Sequence, residues 1–63
     1  MLVYFTDAIT EQQIAINPTY VTAIFVAVDG EMKGKTVIGL TNGSVVVQEN
    51  QLDAVGTIQS ELK

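Results

Sequence analysis

The chain has 63 residues with no cysteine and no histidine, which excludes disulfide stapling, a structural zinc site and the two side chains that most often carry catalysis near neutral pH. Seven acidic residues against three lysines give a formal charge of −4, too little positive charge to displace counterions from a nucleic-acid backbone. Apolar residues make up 48% of the chain and charged ones only 16%, so a domain this short has little interior in which to hide them.

Leu2 to Thr6 is apolar, aromatic and β-branched, and it reads as a first strand. It carries no basic flank and Asp7 ends its apolar run, so it is not read as a leader peptide. Asp7 to Gln12 forms a hairpin loop without Gly or Pro to define its turn. Gln13-Ile14-Ala15-Ile16 then alternates with period two, the pattern of a strand with one buried face. Asn17-Pro18 ends that strand, because proline has no N–H to continue a ladder. Asn17 as cap and Pro18 in the first helical position predict a single helical turn over Pro18-Thr19-Tyr20.

Val21 to Val28 is the strongest strand in the sequence. Ile24, Val26 and Val28 lie on one face and Ala23, Phe25 and Ala27 on the other, so both faces are expected to be covered. The second cover has three sources: the C-terminal helix, the far side of a closed barrel, or another subunit. Asp29 to Lys35, with two glycines and four charges, is a solvated hairpin loop. Lys35 to Thr41 returns to strand. Asn42-Gly43 predicts a two-residue type I′ turn with positive φ at both positions, leading into a last strand over Ser44 to Glu49.

Asn50 caps the one helix, with Asp53 three positions on favouring the positive end of its dipole. Leu52, Val55, Ile58 and Leu62 recur at helical spacing and predict the stripe that packs on the sheet. Gly56 in mid-helix signals either close approach of another backbone or simple tolerance. The whole reads as one α+β domain over residues 1–63: a bent five-stranded antiparallel sheet or partly open small barrel, with the last three strands as a meander and one C-terminal helix.

No catalytic, metal or cofactor residue is identified. Ser44 and Ser60 have no histidine to deprotonate them, and Lys33 and Lys35 sit in a solvated loop. Asp29-Gly30-Glu31 lacks the ligand spacing of a calcium loop. Gly34-Lys35-Thr36 matches the end of a phosphate-binding loop but enters a strand instead of a helix. Tyr4, Phe5, Tyr20 and Phe25 are the only aromatics, and without basic neighbours they read as packing residues and not as a stacking platform for nucleic acid. The longest apolar stretch, Ala23 to Val28, is too short to cross a bilayer, and a cytoplasmic location is the expectation.

The run Ile14-Ala15-Ile16-Asn17-Pro18, then Val21 to Ile24, Thr36 to Gly43, Val45 to Glu49 and a short helix resembles the small flagellar FlbD/SwrD-type proteins. The loop from Asp29 to Lys35 looks longer than theirs and the basic residues are fewer. Phe5-Thr6-Asp7, Ile16-Asn17-Pro18, Gly34 to Ile38 and the ending Val55-Gly56-Thr57-Ile58-Gln59 are also similar to short proteins of tailed phages, cyanophages among them. Both resemblances imply a small accessory protein, and neither brings a catalytic residue.

With no disulfide or zinc to staple so small a core, association is the expected route to stability, as a homo-oligomer, most simply a two-fold dimer. The functional expectation is a non-enzymatic accessory module that binds itself and another protein. Two alternatives stand beside it: a structural assembly subunit, such as a phage-particle component, and a small regulator responding to nucleic acid or a ligand. Tyr20, Phe25, Ala27, Leu52 and Val55 are the expected interface residues.

Overall fold

A computed structural model describes residues 1–62. It gives β1 (Val3–Thr6), β2 (Gln13–Ile16), a 3-10 turn (Pro18–Tyr20), β3 (Val21–Val26), β4 (Thr36–Leu40), β5 (Gly43–Val47) and α1 (Gln51–Leu62). The chain is α+β with five strands and one C-terminal helix, and every strand pairing is antiparallel.

The strands do not form the single bent sheet expected from the sequence. They form a two-stranded hairpin, β1-β2, and a three-stranded meander, β3-β4-β5. The break has a local cause. β1 runs for only four residues before the chain turns at Asp7, so its pairing with β5 is confined to one corner. There Asp7 lies opposite Val47, the Ala8 N–H donates to the Val46 carbonyl at 2.9 Å, and the Gln48 N–H donates to the Thr6 carbonyl at 2.8 Å. The Glu49 carboxylate reinforces this corner by accepting the Thr6 N–H at 3.0 Å and the Thr6 hydroxyl at 3.1 Å. The barrel is not closed.

The core lies between the hairpin, the inner face of the meander and the helix. Val3, Phe5 and Ile16 come from the hairpin, Ile38 and Val47 from the meander, and Ala54 and Ile58 from α1. Burial identifies β4 as the central strand: Thr36, Val37 and Ile38 are all buried, and it pairs on both sides. β3, read from the sequence as the strand covered on both faces, is instead an edge strand of the meander. It has no fully buried residue.

Two local expectations are corrected. The β4-β5 register places Leu40 opposite Gly43, so Thr41 and Asn42 are the central turn residues and the turn is not type I′. Neither of them has positive φ. The shift of one residue lets Gly43 begin β5, at a φ of 153° that residues with a side chain rarely adopt. On α1 the buried residues are Ala54 and Ile58, with Val55 half-buried, while Leu52 and Leu62 are exposed. Small Ala54 lets the helix sit close to the sheet, and that rotates the leucines toward solvent.

The caps formed as the residue types require. Asn17 accepts the Thr19 N–H at 3.1 Å and starts the 3-10 turn, and Asn50 accepts the Asp53 N–H at 2.8 Å at the start of α1. The β1-β2 loop is built around Asp7, whose side chain accepts the Ile9 and Thr10 N–H groups at 2.7 and 3.1 Å. Glu11 closes that loop in the left-handed region, at φ 63°.

Candidate functional site

The sheet register divides the side chains of the meander between two faces. Ile24, Ile38 and Val45 stand in one cross-strand row and Val26, Thr36 and Val47 in the next, both on the inner face. Phe25, Val37 and Val46 form a row on the outer face, and Ala23, Gly39 and Ser44 form the row beside it. Val37, between Phe25 and Val46 in its row, is buried yet lies outside the core cluster. Gly39 fits this face because Thr22 and Ala23 lie over it: a Cβ there would meet the Thr22 hydroxyl at 3.3 Å. At the end of its row Phe25 is 49% exposed.

The free edge of β3 continues this surface. The Ala27 N–H donates to the Lys35 carbonyl and the Ala27 carbonyl accepts from Gly34, so Ala27 faces the β4 side of its strand. Strand alternation then turns the backbone of Phe25 toward β4 and that of Ile24 and Val26 away from it. An independent bond agrees: the Ile24 carbonyl accepts the side-chain amide of Gln51 at 3.4 Å, from the first residue of α1. Beyond the strand, Val28 is 81% exposed.

Of the residues expected at an interface, Phe25 and Ala27 belong to this outer surface. Leu52 and Val55 lie on α1, which packs against β3 and the 3-10 turn from the inner side. Tyr20 ends the 3-10 turn and is 57% exposed. The five therefore flank β3 from both sides instead of forming one flat patch.

Tyr20 also lines a second feature that the sequence reading missed. A groove of about 260 Å³ opens between the end of β2 and the β4-β5 turn, walled by Ile14, Tyr20, Leu40 and Val45 with Asn17 and Asn42 at its polar positions. It forms because β2 and the meander are not paired to each other, which leaves the core partly open there. The period-two pattern marked Ile14 as inward-facing, but only the split of the strands into two sheets could show that the space in front of it is unfilled.

Among the described residues, no group of three or more Asp or Glu side chains gathers where it could hold a metal ion. No buried side-chain polar atom there lacks a hydrogen-bond partner. No helix among the described residues is long and apolar enough to cross a membrane. Comparisons with protein-family models, curated proteins and solved structures give no match.

Proposed function

We propose that this chain is a non-enzymatic interaction module that works as a homo-oligomer and binds another protein. The observation that carries the reading is the uncovered β3 surface, where Phe25, Val26 and Val28 stand exposed in one uncharged stretch beside an unpaired strand edge. Phe25 lies on the outer face and Val26 on the inner, so the exposed apolar groups line both sides of one strand edge, and such a band on a small domain with half its residues apolar marks a surface that meets another protein. Exposed strand edges are also a common means of recognising extended peptide backbone.

The groove supports the second half of the reading. At about 260 Å³ it lies below the size usual for cofactors and drug-sized ligands, roughly 300 to 1,000 Å³, and suits one large apolar side chain of a partner. Light scattering across micromolar concentrations tests the oligomer: a mass above that of one chain supports it, and a monomer throughout contradicts it. The partner is tested by affinity capture from the native host. A protein retained at fixed stoichiometry by the wild-type chain and lost with Tyr20→Ala supports the reading, and recovery of this chain alone contradicts it.

A further inference from the structure

Two edges of the fold, those of β2 and β3, stand clear of the corner where β1 meets β5, and they differ in how well they are defended. β2 is four residues long and is followed at once by Asn17 and Pro18, which has no N–H. Short strands and prolines are the usual means of blunting an edge. β3 runs six residues and continues in apolar sequence to Val28, with no proline and no charged residue from Val21 to Val28. Its one irregularity, a bulge between Val21 and Ala23, lies at the far end. Its one other guard is the Gln51 contact to Ile24, whose 3.4 Å is long for a hydrogen bond.

We propose that the occupant of this edge is β3 of a second copy, paired antiparallel across a two-fold axis at Phe25 to make a continuous six-stranded sheet. The inference rests on the oligomeric reading above and specifies its geometry. A two-fold contact must be self-complementary, and an uncharged strand satisfies that between two chains of net charge −4, with no like charges opposed.

The register follows from the stretch itself. Thr22 to Val28 is centred on Phe25, so full overlap of two such stretches sets Phe25 opposite Phe25 of the second copy. Ile24 then faces Val26 of that copy, and Ala23 faces Ala27. Ile24 and Val26, whose backbones point away from β4, become the hydrogen-bonded pair, and the Val26 N–H replaces the Gln51 amide on the Ile24 carbonyl. Phe25 falls at a position without backbone bonds, where side chains of opposed strands come closest. Two half-exposed rings meet there, flanked by small alanines that leave them room.

A stable interface covers about 800 Å² on each partner, under a fifth of the 4306 Å² this chain exposes. Phe25 at 49% leaves about 100 Å² open, taking about 200 Å² for the whole ring residue. Val26, Val28 and Leu52 add roughly 200 Å² at roughly 100 Å² per aliphatic side chain. Thr22, Ala23 and Gln51, exposed along the same edge, and the strand backbone add to this area.

The absence of native cysteine makes the geometry directly testable by cross-linking. Phe25→Cys gives up the ring, so it is oxidised at a concentration well above that at which the wild type is oligomeric, and it is then expected to double its mass on a non-reducing gel, as opposed Cα atoms in such a pair lie within disulfide reach. Ala23→Cys and Ala27→Cys, which keep the ring, are expected to link when mixed and not when alone; Ser60→Cys on the helix is expected not to link. A wild-type oligomer in which neither Phe25→Cys nor the mixed alanine variants link overturns this geometry and leaves the oligomeric reading standing. A wild-type chain that is monomeric throughout overturns both, and a ladder of species beyond the dimer overturns the two-fold.

Discussion

Replacing Phe25 by alanine separates the role of this ring in association from its role in the fold. About half of the residue, 49%, is exposed in the single chain, which amounts to about 100 Å² per copy. A two-fold contact buries that area twice, so its loss removes about 200 Å² of covered apolar surface, or about 5 kcal/mol at about 25 cal/mol per Å². Allowing for the methyl group that remains, the dissociation constant is expected to rise by about a thousandfold, taking about 1.4 kcal/mol per factor of ten. The half of the ring already covered beside Val37 costs the single chain about 2 kcal/mol by the same arithmetic, so circular dichroism with thermal melting must run alongside. Sedimentation equilibrium over a dilution series supplies the constants. A folded Phe25→Ala variant whose dissociation constant stays within about threefold of wild type, under 1 kcal/mol, refutes the placement of Phe25 in the contact.

Other substitutions test the fold. A Cβ at Gly56 meets nothing within 4 Å, so Gly56→Ala is expected to stabilise by about 1 kcal/mol through helix propensity and raise the melting temperature by roughly 4–8 °C. Glu11 holds φ 63°, so Glu11→Gly is expected to stabilise by up to about 1 kcal/mol in urea unfolding, the relieved left-handed strain outweighing the added freedom of the unfolded chain. Glu49→Gln, which weakens the charged acceptor of the Thr6 N–H and hydroxyl, is expected to cost about 2 kcal/mol and to speed amide exchange at Thr6, Gln48 and Ala8, the three N–H groups of that corner. Asn50→Ala removes the cap on the Asp53 N–H and is expected to lower stability by about 1 kcal/mol in the same assay.

Much of the architecture was legible in local chemistry. Asn17-Pro18 announced a helical turn because side-chain cap and fixed φ act within a few residues, and the turn spans Pro18–Tyr20 as read. Asn50 announced α1 for the same reason, and the order of strands followed from period-two runs between turn residues. What failed depended on long-range packing. Val21 to Val28 reads as the most apolar strand, yet sheet position is decided by pairing partners. β4, with its glycine and threonine, took the centre because β3 and β5 flank it in sequence. The helix stripe was misjudged by weighting leucines: Leu52 is 84% exposed, and the smaller Ala54 faces the core because close helix-to-sheet packing leaves no room for a longer side chain. Asn42-Gly43 suggested a type I′ turn by residue preference, but the ladder between β4 and β5 extends one residue further, so the turn falls on Thr41-Asn42 and is not of that type. The candidate site was only half legible. Phe25, Ala27, Tyr20, Leu52 and Val55 were named from apolarity and position, and all five flank β3. The groove beside Ile14, and Gln51 on the Ile24 carbonyl, arise from the meeting of segments far apart in sequence.

Amide hydrogen exchange at Val26, followed by NMR over a dilution series, tests the central claim most directly, since this N–H points away from β4 and has no strand beside it in a single chain. Pairing with a second copy predicts protection approaching that of Ile38 in the central strand at high concentration and its loss on dilution below the dissociation constant. Fast exchange at Val26 at every concentration, with Ile38 protected throughout, would contradict it.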